Sequence, residues 1–295
     1  MKTKESVQKY IPYALVLAAG VCWGVSGFFT RNLTALGFTS TLIVIVRNIG
    51  AAALLALTLL LTDRSAFRIR LKHLPYFLGT GIVSLLIFTL CYFRSQQINS
   101  LALAAILMYT APAFVVVLSA PIFKDKITGK KLLALVVAFA GCDLASGAFS
   151  GTLTLTVEGL LLGLGSGVFY ASYSIFARMA MKHYESLTIT FYTFLVAACG
   201  SLALLLLGVG DCGAAQWNGT AAVNIAGLWV LATVAPYLLY TGGLQELGDG
   251  GKASILASIE PVVAAFVGVL AFGEPLGLGT VGGLICILIS VFILR

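Results

Sequence analysis

Runs of about twenty apolar positions alternate along the chain with short polar or charged stretches, ten times over. The runs are Pro12–Thr30, Ser40–Thr62, Pro75–Arg94, Ala102–Phe123, Lys131–Ala148, Glu158–Met179, Leu187–Gly208, Asn224–Gly243, Lys252–Phe272 and Leu276–Leu294. At 1.5 Å per residue, roughly 20 such residues cross ~30 Å of hydrocarbon. None of the runs shows the period-two alternation of a membrane barrel strand. Each therefore predicts a helix, the conformation that satisfies its own backbone groups in lipid.

The second half of the pattern echoes the first at an offset of 147 to 149 residues. Trp23-Gly24-Val25-Ser26 through Arg31 lines up with Tyr170-Ala171-Ser172-Tyr173 through Arg178. Gln96, Ala104, Ile106, Leu107 and Pro112 meet Gln245, Ala253, Ile255, Leu256 and Pro261, and each copy runs on to an acid, Asp125 or Glu274. Five spans per half is an odd number, so the second copy enters the bilayer upside down. The predicted fold is thus all-α integral membrane: ten transmembrane helices as two inverted five-helix repeats around a central cavity. Residues 1–148 form the first repeat and 149–295 the second.

Composition agrees. Hydrophobic residues make up 60% and charged ones 10%, with a mean hydropathy of +1.03. A soluble domain carries about 25% charge, so the apolar excess has to face lipid. The basic start with Lys2, Lys4 and Lys9 resembles a leader, but the apolar run continues to about Phe29 without a small-x-small site and reads as a retained first helix. Of the six cysteines, five sit inside apolar runs as small hydrophobes, and they predict neither disulfides nor a metal site.

Charge then sets the orientation. With a cytoplasmic N-terminus, the inner loops and termini collect Lys2, Lys4, Lys9, Arg64, Arg68, Arg70, Lys72, Lys124, Lys126, Lys130, Lys131, Arg178, Lys182, Lys252 and Arg295. The outer side collects Arg31 and Arg94. That asymmetry predicts both termini in the cytoplasm of a multi-pass cell-membrane protein. Most of the net charge of +7 is a topology signal, not a nucleic-acid footprint.

At these residues the chain resembles the EamA family of the drug/metabolite transporter superfamily. The resemblance rests on Trp23-Gly24, Arg47, the Ala104-Ala105-Ile106-Leu107 to Ala111-Pro112 stretch, and Ala253-Ser254-Ile255 to Glu260-Pro261 running into Phe272-Gly273-Glu274. It implies a ten-helix fold with a central cavity, exporting amino acids and related metabolites. Asp125 departs from the family's usual Glu at that position.

Ionisable groups inside the bilayer are functional candidates by default. Arg47 lies about seven residues from the outer end of its run, ~10 Å deep; Glu260 lies ~12 Å and Asp143 ~18 Å from the inner side. Mutual neutralisation or helix packing is the plain alternative for all three. Pro112 and Pro261 interrupt the fourth and ninth helices at matching positions, and each frees a carbonyl four residues earlier. Such breaks flank substrate sites in transporters; a tolerated kink is the alternative.

Aromatic residues at mid-depth, Trp23, Tyr170, Tyr109, Tyr92 and Tyr240, with Tyr173 and Tyr237 beside them, predict a polar-edged cavity for substrate, because Tyr and Trp need a partner for their OH or NH. Glu260 adds a group able to exchange a proton or pair with an ammonium. Gly163, Gly165 and Gly167 predict close helix packing. Helices one, three, four, six, eight and nine should line the cavity, with five and ten peripheral.

The chain has no G-x-x-x-x-G-K-[ST], H-E-x-x-H or G-x-S-x-G run, and the two histidines, His73 and His183, fall in inner loops. The sequons at Asn32 and Asn218 fall on outer loops as chance matches. No catalytic residue, metal or cofactor is predicted. The expected partners are a small-molecule substrate, the lipid bilayer and a proton or ion, with no nucleic acid, for a monomer or weak homodimer. An exporter of amino acids or derivatives working by alternating access is the leading reading. A carrier of another solute (nucleoside, vitamin or sugar-like) comes next, and an integral membrane enzyme last.

Overall fold

A computed structural model describes residues 2–98, 101–146, 156–208, 214–273 and 277–294. Glu274 and Cys212 lie outside the described residues. Within them the chain is helical and has no strand. Eight segments are long and apolar enough to cross a membrane: Tyr10–Ala35, Ser40–Thr62, Leu71–Tyr92, Ala104–Phe123, Val157–Ala180, Ser186–Leu206, Gly219–Leu247 and Gly250–Phe272. The fifth and tenth expected runs do form helices, but each falls short of that test. Gly129–Ser146 carries Lys130, Lys131 and Asp143 within its 18 residues, and the apolar part of the last helix is Val281–Ile293.

The helices, in chain order, are α1 (Lys2–Gly24), α2 (Ser26–Ala35), α3 (Ser40–Thr62), α4 (Leu74–Leu78), α5 (Phe88–Ile98), α6 (Leu101–Met108), α7 (Ala111–Phe123) and α8 (Gly129–Ser146). The second half holds α9 (Val157–Ala180), α10 (Ser186–Leu206), α11 (Gly219–Trp229), α12 (Ala235–Leu247), α13 (Gly250–Ala257), α14 (Glu260–Phe272) and α15 (Leu278–Ile293). Two π-helical stretches, Gly79–Ile87 and Val230–Val234, join α4 to α5 and α11 to α12.

Local chemistry sets the ends. Thr39, Thr156, Asn218 and Asp249 cap α3, α9, α11 and α13 by accepting the N–H of Leu42, Gly159, Ala221 and Lys252. The Asn218 cap starts α11 at Gly219, five residues before the expected Asn224. Lys124, Gly248 and Gly273 end α7, α12 and α14 in the left-handed region. Past α3, Asp63 accepts hydrogen bonds from Ser65 Oγ (2.6 Å) and Ser65 N (2.8 Å), which hold its carboxyl below the usual carboxylate range.

Three placements differ from expectation. Asn32 is not in a loop: α2 continues through it, and its Nδ2 donates to Asn224 Oδ1 on α11 at 3.0 Å. His73 is buried; its ring stacks on His183 at 4.1 Å and meets Tyr184 OH at 2.8 Å. A Cβ on Gly165 would make only an ordinary contact with Phe169 at 3.9 Å, whereas one on Gly163 or Gly167 would collide with Leu107 or Thr110.

The packing exchanges the two halves. α1 packs on α12 as α9 packs on α5 and the Gly79–Ile87 stretch. α1 also packs on α13 and α14, as α9 does on α6 and α7. The pairs α3 with α10 and α8 with α15 each join a helix to its own repeat mate, and α7 packs on α13, the repeat mate of α6. The two π stretches correspond too, ending at Ile87 and Val234 with an offset of 147.

Candidate functional site

The site begins where helices break. α6 stops at Met108 and α7 restarts at Ala111; α13 stops at Ala257 and α14 restarts at Glu260. Pro112 and Pro261 stand in the first turn of the restarts. Lacking an N–H, they orphan the carbonyls of Met108 and Ala257, and among the described residues no backbone N–H donates to either. Glycines of the opposite half press on them. A Cβ on Gly20 would lie 2.8 Å from Ala257 O, and one on the repeat mate Gly167 would lie 3.3 Å from Met108 O. Each break is thus seated on the other half of the molecule.

Above these seats the aromatic residues converge. Trp23, Ser84, Tyr170, Tyr173, Tyr237 and Tyr240, with Ser174, line one small cavity. Trp23 stands 5.3 Å from both Tyr237 and Tyr240, and Tyr173 lies edge-on to Tyr237 at 5.2 Å. Tyr173 OH pairs with Thr241 Oγ1 (2.7 Å) and Tyr240 OH with Ser174 Oγ (2.8 Å), which satisfies both phenols. The space amounts to about 20 Å³, room for about one water.

Tyr92 sits one layer out, stacked on Phe88, which in turn meets Tyr170. Tyr109 packs with Cys142, Val262, Leu284 and Ile287 beside α8 and α15, not in the cavity wall. Asp143 is half-buried on α8 and does not line the cavity.

Arg47 and Glu260 do not pair with each other. Among the described residues neither Arg47 nor Glu260 has an ion-pair partner within 4 Å, and Arg47 Nε is buried without a hydrogen bond. Both act electrostatically on Tyr237, and Glu260 also acts on Tyr109 and Tyr170. Tyr237 is thus within electrostatic reach of two ionisable groups that have no ion-pair partner among the described residues.

Each end of the bundle carries a matching aromatic–arginine contact. At the end that gathers the basic loops, Arg178 lies over the Phe123 ring at 4.0 Å. Its guanidinium also forks onto Asp125 (2.6 and 3.2 Å) and donates to Gly248 O. At the other end its repeat mate Arg31 lies over Phe272 at 4.8 Å and is exposed. The first latch is nearly buried, its side chains 12% and 13% exposed.

Sequence reasoning passed over Ser84, Ser174 and this latch. A lone serine inside an apolar run was the available signal for Ser84. The repeat alignment of Arg31 with Arg178 was the signal for the latch.

A sequence profile of the EamA-like transporter family matches residues 10–147 and again 157–295. The chain belongs to the EamA-like transporter family. An uncharacterized transporter of Archaeoglobus fulgidus is 34% identical over 204 residues, covering 68% of this chain and 70% of the relative. The uncharacterized inner membrane transporter YicL of Salmonella typhimurium is 24% identical and covers 95% and 93%. A crystal structure of another protein superposes with a TM-score of 0.81 at 16% identity over 96% of this chain and 95% of that one, a likeness of fold. This EamA-like transporter is accordingly a multi-pass membrane protein that contacts lipid and carries a small molecule.

Proposed function

We propose that this EamA-like transporter exports a zwitterionic solute, an amino acid or a derivative, by alternating access. The reading includes ten spans, two inverted repeats divided near residue 148, and both termini in the cytoplasm of the cell membrane. The observation that carries the substrate class is that Arg47 and Glu260, both without an ion-pair partner among the described residues, act together on Tyr237 of the cavity wall. A buried charge without a partner is costly, and a solute bearing one carboxylate and one ammonium relieves both at once. The aromatic rings of Trp23, Tyr170 and Tyr240 supply the apolar wall and the orienting hydroxyls. On this reading Glu260 also exchanges a proton as the cavity turns from one side to the other. Alternating access draws support from the exchangeable packing of the halves and from the two repeat-related arginine latches, one tight and one loose.

Thermal unfolding of the purified protein across amino acids, nucleosides and sugars tests the substrate class. One or more amino acids should raise Tm in the wild type, and Arg47→Gln and Glu260→Gln should each cut that shift at least tenfold in apparent affinity, because each leaves one solute charge unpaired. A shift with nucleosides or sugars alone, or one unchanged in both variants, would sink the reading.

Orientation is tested separately by single cysteines in an otherwise Cys-free protein. An impermeant thiol reagent applied to cells should modify position 216, on the loop where Gln216 N bonds Leu36 O, and spare position 128. The reverse pattern overturns the topology.

A further inference from the structure

The densest cluster of unspent charge lies outside the cavity, at the end of the bundle that carries the basic loops. There the loop between α7 and α8 and the loop between α12 and α13 enclose a pocket of about 600 Å³. Five lysines line it, Lys124, Lys126, Lys130, Lys131 and Lys252, against two carboxylates, Asp125 and Asp249. Both carboxylates are already engaged: Asp249 Oδ2 holds Lys131 Nζ at 2.6 Å, and Asp125 holds Arg178, which is not in the lining. The lysine that Asp249 takes is itself buried and donates its remaining reach to Lys126 O (3.0 Å), bracing the loop. Lys124, Lys126, Lys130 and Lys252 are left facing one pocket with no counter-ion within 4 Å among the described residues. A topology signal alone asks only that lysines lie on this side of the membrane; it does not ask that four of them converge.

Backbone geometry supplies an independent observation. Lys124 is the one non-glycine described residue with positive φ (59°, ψ 31°). Its repeat mate is Gly273, which holds the same conformation (φ 65°, ψ 24°) without the Cβ clash that an L-residue meets there. The second half thus carries the unstrained solution to this helix end, while the first half carries a lysine. Strain kept at a position where glycine serves is a mark of a side chain held for what it binds.

We infer that this pocket binds a phosphate-bearing anion. Lysine ammonium groups bind phosphate as point charges, and four of them around one pocket can meet the several charged oxygens of one phosphate. Leu247 and Leu294 give the pocket an apolar flank, as basic pockets between spanning helices do where they receive anionic headgroups. The phosphate is carried by an anionic phospholipid of the inner leaflet or is free in solution, and the two sources separate by experiment.

The test follows Tm of the purified full-length protein in a neutral detergent. One arm adds mixed micelles of phosphatidylglycerol, with phosphatidylcholine as reference; the other adds inorganic phosphate, with chloride at matched ionic strength. A ligand of the folded state raises Tm by mass action. A rise with phosphatidylglycerol alone assigns the lipid headgroup, and a rise with inorganic phosphate assigns the free anion. Lys124→Gly should keep or raise the ligand-free Tm, since it relieves the backbone, while cutting the shift at least twofold. Lys252→Gln should cut it as well, by a route independent of backbone strain. Lys182→Gln removes an exposed lysine outside the pocket and should leave the shift intact. The inference is overturned if neither probe moves the wild type, if both pocket variants keep the full shift, or if Lys182→Gln loses as much as they do.

Discussion

Replacing Arg178 with alanine should destabilise the protein by about 3 kcal/mol, within the range for removing one partner of a buried ion pair. Three contacts go together. The fork onto Asp125 is lost, leaving a carboxylate that is 13% exposed without its cation. The donation to Gly248 O and the contact with the Phe123 ring go with it. The latch joins the ends of α7, α9 and α12, so its loss also frees that end of the bundle to open. Arg178→Lys should recover only part of the loss, since an ammonium cannot fork onto both oxygens. Asp125→Asn should fall between the two. Thermal unfolding of the single and double variants measures this: the double variant Arg178→Met, Asp125→Leu should cost less than the sum of its parts by at least about 1 kcal/mol. Additive losses would show that the two side chains do not act as a pair. If the tight latch holds one closed state, as proposed, transport assayed beside stability should fall further than Tm alone accounts for.

A second large effect is expected at Gly20. Its Cβ would meet Ala257 O at 2.8 Å, and that carbonyl belongs to a helix end that cannot yield without disturbing the break at Pro261. Overpacking of this kind costs about 1–3 kcal/mol, and Gly20→Leu should reach the upper end. Gly167→Leu should cost less, since its closest clash is with the Thr110 hydroxyl (2.7 Å) and the orphaned carbonyl there lies farther off, at 3.3 Å. Gly27→Ala is the contrast. Nothing stands within 4 Å of its Cβ, and the residue lies within α2, so alanine should stabilise by about 0.5–1 kcal/mol. Tm values in the order Gly27→Ala, wild type, Gly167→Leu, Gly20→Leu confirm the seating of the breaks. Gly20→Leu unfolding as wild type does would refute it.

The apolar runs made the spanning helices legible because hydrocarbon thickness imposes one length and one composition on all of them. The prolines at 112 and 261 located both helix breaks, since a missing N–H is a property of the residue itself. The seats of those breaks were not legible, because the glycine and carbonyl that meet come from opposite halves of the chain. Nor were the π stretches: a widened turn leaves the hydrophobic pattern of Gly79–Ile87 and Val230–Val234 unchanged. Depth, the helix-breaking prolines and the family resemblance put Trp23, Tyr170 and Tyr240 in a cavity, and they line a small one here. Tyr109 has the same depth but a different azimuth and packs toward α8 and α15, because depth fixes a residue along a helix and not around it. The latch of Arg178 on Asp125 joins residues 53 positions apart, a separation that no local pattern encodes.

The narrowness of the aromatic cavity bears on how any solute's affinity should be read. On the proposed reading, a cleft with space for about one water holds a metabolite only after Trp23, Tyr237 and Tyr240 part, which makes the receptive form a minority conformer of the empty protein. The measured dissociation constant is then the intrinsic one divided by the fraction of molecules already parted. Weak binding by this carrier reports a sparsely populated receptive form as much as poor complementarity, and a change that loosens the ring cluster tightens binding without touching the solute.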